Sequence, residues 1–305
     1  MEFVKDIFYN TDKILSAFYN YILNFWVSHG LPHVLLDIII EFIVAAIVAA
    51  FVAINALWII YYERKFAARL QVRYGPNRVG PRGLLQTVAD TIKLLIKEDI
   101  NAEKVDKKLF FIAPLIVFTP AFAVFLVIPF GKGLIAGDIN IGILYVLAIT
   151  GLAVIGILVA GWASNNKYSL MGGMRSAAQI VSYEIPAVLV ILSILLFTGS
   201  LKMTDIVKAQ SGYKWFIIPQ FLGFIIFVIS TKAETNRSPF DLPEAESELV
   251  SGFITEYSAM KFAMFFLAEY TNIFIVSAIT VVLFFGGWEG PLLPPVVWFI
   301  IKTYI

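Results

Sequence analysis

The sequence predicts an all-α polytopic membrane protein with about seven transmembrane spans, and three observations indicate this class. Hydrophobic residues make up 59% of the 305 residues and charged residues only 15%, whereas a soluble domain carries roughly 25% charge. The apolar residues fall in separate runs, most of them near the ~20 residues that a helix needs to cross the hydrocarbon core. The charges concentrate between these runs, where long loops and interfacial amphipathic helices are expected.

The first expected span is the uncharged stretch between Glu41 and Glu63. The others are Leu109–Ile128, Ile139–Ser164, Arg175–Lys202, Trp215–Thr231 and Phe262–Trp288, followed by the start of a seventh at Pro291–Ile301. That last run would rise only about 16 Å as a helix, roughly half the bilayer. Lys302 would then lie at membrane depth, which is costly. Either partner subunits shelter this end or the natural polypeptide is longer, and the second explanation is favoured.

Two regions are expected along the chain. In residues 1–37, apolar side chains recur at helical spacing, which predicts an amphipathic helix on the membrane surface or docked on a neighbouring subunit. Residues 38–305 are expected to form a single transmembrane domain with cytoplasmic loops at 63–108, 165–175 and 232–261. Within the first loop, apolar residues from Leu84 to Ile96 share one helical face, which predicts a short interfacial helix. Residues 74–83 before it are rich in turn formers.

The distribution of basic residues predicts the orientation. The three loops named above hold sixteen Lys and Arg residues, and the opposite loops with the amino-terminal segment hold six. Because cytoplasmic loops are enriched in Lys and Arg, the three loops are expected in the cytoplasm and the amino terminus outside.

The composition excludes several kinds of redox centre. The sequence contains no cysteine, so it has no disulfides, no cysteine-ligated Fe–S cluster and no thiolate metal site. Its two histidines, His29 and His33, both precede the first long apolar run, which excludes a bis-histidine haem inside the membrane. No metal site and no redox cofactor are expected in this chain.

Carboxylates are the main candidates for function. The loop 232–261 contains six of them, namely Glu234, Asp241, Glu244, Glu246, Glu248 and Glu256. Interleaved apolar residues such as Phe240 indicate that the loop packs, although a solvated acidic loop is the simpler alternative. Crowded carboxylates raise one another's proton affinity and titrate as a group, so such a loop can hold and pass protons.

Two further carboxylates, Glu184 and Glu269, lie alone inside expected spans. A charge there costs at least ~2.5 kcal/mol, so it usually has a function, although a structural ion pair is possible. At the inner end of the first span, Glu63, Arg64 and Arg73 either anchor the helix or frame the mouth of a cavity that a hydrophobic carrier such as a quinone enters.

Several motifs resemble, in the same order, those of the H subunit of respiratory complex I (NADH-quinone oxidoreductase), the homologue of mitochondrial subunit 1. They are Glu63-Arg64-Lys65, residues 73–80, residues 161–168, Ser182-Tyr183-Glu184, residues 233–241, residues 255–258, Ala268-Glu269-Tyr270 and residues 285–288. The resemblance covers about residues 38–301. It implies a subunit at the heel of the membrane arm, which in the family has eight spans.

The resemblance also implies roles for individual residues. Six of them would line a lipid-facing quinone tunnel: Glu63, Arg64, Arg73, Arg237, Phe240 and Asp241. Eight would form an acidic path that couples quinone reduction to proton translocation: Asp90, Glu184, Glu234, Glu244, Glu246, Glu248, Glu256 and Glu269. None would be catalytic by itself, because quinone is the substrate and FMN, Fe–S clusters and NADH belong to other subunits.

The implied partners are the other membrane-arm subunits, the peripheral quinone-site subunits, lipid and quinone, with no nucleic acid. The implied location is a bacterial inner membrane. Two alternatives stay open. One is the membrane subunit of an energy-converting hydrogenase. The other is a stand-alone ion transporter, which predicts inverted internal repeats that the sequence does not display. The electron donor and the quinone type are not specified by the sequence.

Overall fold

The computed structural model describes residues 33–212, 214–291 and 293–305, which are predominantly helical. The helices are α1 (His33–Leu70), α2 (Gln86–Ile96), α3 (Lys107–Ala123), α4 (Gly142–Ala163), α5 (Lys167–Thr198), α6 (Met203–Ala209), α7 (Phe221–Glu234), α8 (Glu246–Leu249), α9 (Ala259–Phe284) and α10 (Pro295–Tyr304). The amphipathic helix expected in the amino-terminal segment lies outside the described residues.

Five helical segments of the described chain are long and apolar enough to cross a membrane. They are Leu36–Leu70, Lys107–Leu126, Gly142–Ala163, Lys167–Thr198 and Ala259–Phe284. The predicted class, an all-α polytopic membrane protein, is confirmed, but the count of seven spans is not. The expected fifth span forms α7, whose 14 residues rise only about 21 Å, and the expected seventh forms the 10-residue α10.

Two helices extend further than expected into the segments predicted to be cytoplasmic loops. Helix α1 continues to Leu70, so Glu63 and Arg64 lie within it and not at its end. Helix α5 begins at Lys167, eight residues before the expected start at Arg175. The side chain of Asn166 accepts a hydrogen bond from the backbone N–H of Tyr168 and thereby caps this start. Of the expected loop 165–175, only the first two residues are outside helix.

The expected interfacial helix is present as α2. Its apolar residues, together with those just before it, are exposed in the isolated chain, from Leu84 at 42% to Ile96 at 79%. This exposure fits a helix that lies in the membrane interface with its apolar face toward lipid. The turn-rich residues before it form no α-helix, as predicted, and contain one 3₁₀ turn at Pro81–Gly83.

The helices α3, α4, α5, α7 and α9 pack around a common apolar core. Helices α3 and α4 approach closely because Gly156 has no side chain, since a Cβ there would lie 2.5 Å from the side chain of Val117. Rings from several helices and the segment after α3 add an aromatic cluster, made of Phe51, Phe125, Phe130, Phe274 and Phe299. The core residues of α5 are Ala187, Val190, Ile191 and Ile194, so the carboxyl-terminal half of this helix is the half that packs in the core.

Helix α5 contains Pro186 in its interior and still runs unbroken for 32 residues. Proline has no backbone N–H, so one hydrogen bond of the helical ladder is missing at this point. The helix ends at Gly199, whose φ of 67° lies in the left-handed region that glycine adopts without strain.

Lys302 is sheltered within the chain, which neither of the two expected explanations included. Its Nζ atom donates to the carbonyl oxygens of Phe285 (2.7 Å), Gly287 (3.1 Å) and Glu289 (2.6 Å). The indole ring of Trp215 lies 4.9 Å from the same atom. The ammonium group therefore donates hydrogen bonds to carbonyls beyond the end of α9 and does not face lipid unpaired.

Candidate functional site

The centre of the candidate site is the guanidinium group of Arg237, which lies between two carboxylates. Its Nη1 atom donates to Oε1 of Glu63 at 2.9 Å, and its Nη2 atom lies 3.0 Å from Oε1 of Glu269. The second contact is an ion pair without the alignment of a hydrogen bond. Arg237 thus joins α1, the acidic loop and α9 at a single point.

Tyr270, the neighbour of Glu269 on α9, completes this arrangement. Its hydroxyl group donates to Oε2 of Glu63 at 2.8 Å, and its ring centroid lies 4.7 Å from the guanidinium carbon of Arg237. Burial alone would lower the pKa of Arg237, but the charge of Glu269 and the contacts of Tyr270 and Glu63 raise it. The guanidinium group therefore stays positively charged.

A second ion pair joins α1 to the interfacial helix α2. The Nη1 atom of Arg64 lies 2.5 Å from Oδ2 of Asp90, and Nε2 of Gln86 donates to Oδ1 of Asp90 at 3.1 Å. Burial would raise the pKa of Asp90, but the hydrogen bonds from Arg64 and Gln86 outweigh it and lower the pKa. Because adjacent residues of α1 bind Arg237 and Asp90, α1 connects the acidic loop to the interfacial helix.

Three of the predicted coupling residues line one cavity. This cavity, of about 130 Å³, lies among α3, α4, α5, α7 and α9, and its lining includes Glu184, Glu234 and Glu269. Further polar groups in its largely apolar walls come from Thr150, Thr231, Thr235, Asn236 and Asn272. A water molecule takes up about 30 Å³ of liquid volume, so the cavity has room for several waters that would hydrogen bond these carboxylates.

Glu234 lies beyond the expected end of the fifth span, at the end of α7. Burial, with a smaller contribution from the charge of Glu184, raises the pKa of Glu234 to about 7. A carboxyl group with this pKa exchanges its proton near neutral pH, which is the property expected of a group that passes protons.

Two further predicted coupling residues, Glu248 and Glu256, lie apart from this cavity. Glu248 forms an ion pair with Arg175 at 2.6 Å, and both side chains are largely exposed. Glu256 accepts a hydrogen bond from Nδ2 of Asn166 at 2.7 Å, at the start of α5. The side chains of Glu244 and Glu246 lie outside what the structure describes.

The predicted tunnel residues are only partly brought together. Phe240 packs edge to face on Tyr183, with ring centroids 5.3 Å apart, next to the Arg237 centre. Asp241 is exposed. Arg73, three residues beyond the end of α1, is also exposed. Its Nε atom donates a hydrogen bond to the side chain of Gln71. The structure groups Glu63 and Arg237 at one centre, and Arg64 with Asp90 beside it.

Three residues that position this site were not predicted from the sequence, namely Tyr270, Asn166 and Gln179. Tyr270 and Asn166 lie in the quoted motifs but received no role, because a neutral polar side chain gives no signal of its partner. Gln179 occurs on the same helix as Glu184, five residues earlier, and it binds the acidic loop. Among the described residues, no group of three or more His, Asp or Glu side chains is arranged to hold a metal ion.

Comparison with known proteins identifies the family of the chain. The family model described as NADH dehydrogenase matches residues 43–305. The chain belongs to the NADH dehydrogenase family. The match covers every residue of the Arg237 centre and of the carboxylate cavity. The similarity is therefore one of the whole transmembrane region and not of a short motif.

Individual members of the family are closely similar over the same region. The H subunit of NADH-quinone oxidoreductase from Brevibacillus brevis is 54% identical over 250 residues, which are 80% of this chain and 74% of the relative. The protein of the same name from Dehalococcoides mccartyi is 55% identical over 252 residues (83% and 71%). That from Rhodospirillum rubrum is 50% identical over 252 residues (80% and 75%). The predicted resemblance to the H subunit of complex I is confirmed.

Proposed function

We propose that this chain is the membrane subunit of a quinone oxidoreductase of the complex I type that shapes the quinone tunnel and couples quinone reduction to proton translocation. The observation that carries the proposal is the position of Arg237 between Glu63 and Glu269. The Glu63 side chain is 46% exposed at this centre, and a lipid-soluble quinone would enter from the bilayer beside it. Glu269 lines the carboxylate cavity.

The shared guanidinium group supplies a physical coupling between the two sides. A guanidinium can bind two carboxylates through different nitrogen atoms, and each contact competes with the other for the best geometry. Negative charge that develops at a reduced quinone near Glu63 would draw Arg237 away from Glu269. A carboxylate that loses its cationic partner is favoured in its neutral form, so Glu269 would take up a proton from the cavity.

The cavity provides the next step of this path. Glu184 and Glu234 line the same space as Glu269, so a proton can pass among the three through water. The titration of Glu234 near neutral pH supports exchange with the cytoplasm, which lies beside the acidic loop. From Glu184 and Glu269 the change in charge would pass laterally to proton-translocating partner subunits of the membrane arm.

In this role the chain binds no redox cofactor of its own. Electrons would arrive through peripheral subunits that hold FMN and Fe–S clusters and accept NADH or another donor, and quinone would be the substrate at the junction. The chain would lie in a bacterial inner membrane with its acidic loop in the cytoplasm. The exposed residues Arg73 and Asp241 are proposed to contact the peripheral quinone-site subunits at this surface.

The experiment that tests the proposal is the substitution Glu269→Gln in the whole complex, reconstituted in liposomes. We expect quinone reduction to continue while the number of protons translocated per electron falls. Glu289→Gln is the matched control, since Glu289 follows the opposite end of α9 and should leave translocation unchanged. Normal translocation in Glu269→Gln contradicts the coupling role.

Purification of the tagged protein in mild detergent tests the assembly. Peripheral quinone-oxidoreductase subunits and antiporter-like subunits in the purified material would support the proposal. A [NiFe] hydrogenase large subunit with an intact active site would assign the chain to the hydrogenase branch. Recovery of a stable, monodisperse single chain would favour the transporter.

A further inference from the structure

One face of α5 carries a row of polar contacts to the acidic loop. Ser176, Gln179 and Tyr183 are spaced by three and four residues, so their side chains lie on the same face of the helix. All three contact the segment 233–240, which we call the loop hairpin. This segment connects the end of α7 to the residues before α8, and it contains Glu234 and Arg237.

Gln179 holds both ends of the loop hairpin at once. Its Nε2 atom donates to the carbonyl oxygen of Ala233 at 2.8 Å and to that of Phe240 at 2.8 Å. The side-chain oxygen of Asn236 is the third acceptor, at 3.1 Å. A primary amide has only two N–H groups, so one of them is shared between two acceptors. A single side chain therefore closes the hairpin between its first and last residues.

The neighbours of Gln179 fix the turn between these ends. Asn236 has a φ of 50°, in the left-handed region that asparagine tolerates better than most residues. Its Nδ2 atom donates to Oγ of Ser176 at 3.0 Å. The ring of Phe240 packs on Tyr183. The turn is thus bound to α5 through side chains that lie on either side of Gln179.

The functional groups lie directly beside these anchored positions. Ala233 precedes Glu234, which lines the carboxylate cavity, and Arg237 follows Asn236 and binds Glu63. We propose that Gln179 is a positioning residue that places Glu234 in the cavity and Arg237 between its two carboxylates at the same time. The quinone side and the proton side of the site are then set by one amide group. This inference rests on the proposed function.

Two substitutions test the proposal in the whole complex. Gln179→Ala removes the donor, and because misplacing a reacting group by about 1 Å can cost up to ~100-fold, we expect about a tenfold loss of quinone-linked proton translocation. Gln179→Glu keeps the size of the side chain, but its carboxylate repels the three oxygen acceptors. Protonation restores one donor, so the translocation rate of this variant should recover as the pH is lowered from about 8 to about 6.

The pH response separates positioning from a structural role. Gln179→Ala should remain impaired over the whole pH range. Gln220→Glu is the control for an added carboxylate, since Gln220 contacts Ser193 at the end of α7 opposite to Glu234. If Gln179→Ala does not assemble, Gln179→Glu decides alone. A Gln179→Ala variant with normal translocation, or a Gln179→Glu variant whose deficit does not change with pH, overturns the proposal.

The outcome is distinct from a failure of the proposed function. Normal translocation in Glu269→Gln contradicts the coupling role itself, whatever Gln179 does. If Glu269→Gln is impaired and Gln179→Ala is normal, the coupling role stands and only the positioning role is wrong.

Discussion

The guanidinium group of Arg237 donates to the carboxylate of Glu63 at 2.9 Å, although 174 positions separate the two residues in sequence. The contact joins the acidic loop to the carboxyl-terminal part of α1. It depends on both partners being held, Glu63 by the regular backbone of α1 and Arg237 by the anchored loop hairpin.

Arg237→Lys should impair coupling although it keeps the positive charge. A lysine ammonium is a compact charge without the planar fork of arginine, so it cannot reach both carboxylates in the same way. A hydrogen bond to a charged group contributes about 1.5–3 kcal/mol, so we expect translocation to fall about tenfold or more. Proton uptake by reconstituted liposomes measures the effect. Arg175→Lys is the control, since its pair with Glu248 is exposed and a small change is expected there.

Substitutions of Tyr270 should separate its hydroxyl group from its ring. Tyr270→Phe removes the donor to Glu63 but keeps the ring over Arg237, and we expect a loss of translocation of about two- to fivefold. Tyr270→Leu removes both contacts and should approach the effect of Arg237→Lys. Equal rates in the two variants would show that the ring contact contributes nothing.

Glu234 should make the stability of the protein depend on pH in a defined direction. Its pKa is raised to about 7 in the folded protein, above the ~4.3 of an unfolded chain. Between these values the folded state binds more protons, so the free energy of unfolding falls as the pH rises. Wild-type protein in detergent should therefore lose more thermal stability than Glu234→Gln between about pH 5 and pH 7.5. Parallel pH dependences of the two melting temperatures would contradict a raised pKa at this residue.

Gly172→Ala should displace the acidic loop from α5. A Cβ atom at Gly172 would lie 2.6 Å from the Cα atom of Gly252, so the loop backbone must move. Overpacking of this kind typically costs about 1–3 kcal/mol, and the melting temperature should fall accordingly. Gly223→Ala is the matched control, because its nearest neighbours are side-chain atoms at 3.1 Å or more. If the melting temperature fell in Gly223→Ala but not in Gly172→Ala, the close approach at Gly172 would be contradicted.

The predicted orientation can be tested directly because these 305 residues contain no cysteine. Single cysteines at Lys97 and Lys104 should react with a membrane-impermeant thiol reagent only in inverted vesicles. Cysteines at Lys208 and Lys214 should react only in right-side-out cells. All four lysines are exposed in the chain. The reverse pattern would place the acidic loop outside and contradict the basis of the proposed function.

The sequence was informative wherever the residue type alone sets a physical constraint. Apolar runs predict membrane helices because the bilayer core offers no other partners, and lone acids such as Glu184 and Glu269 are identified by the cost of placing them there. An acidic path that includes both residues was expected, and the structure shows that Glu184, Glu234 and Glu269 line one cavity. Span count was less predictable, because residues 216–220 before α7 lie in turns and α10 has only 10 residues.

Partnerships between distant residues could not be predicted from residue type alone. Nothing in the sequence near Glu63 indicates that Arg237 and Tyr270 are its partners, because the tertiary packing of α1 against α9 brings them together. The same holds for Gln179, because its neutral amide could form hydrogen bonds with water equally well. Lys302 was expected at a cost in the membrane, whereas the carbonyls beyond α9 fold back and accept its three hydrogen bonds.

The interior proline of α5 has a mechanical consequence. The loop hairpin is attached on the amino-terminal side of Pro186, at Ser176, Gln179 and Tyr183, and Glu184 also precedes that proline. The missing hydrogen bond makes this turn of the helix easier to bend than its neighbours. A small change in bend angle there would move Glu184 and the attached hairpin together, because both lie on the same side of the bend. The half of the helix that follows Pro186 would remain packed in the core.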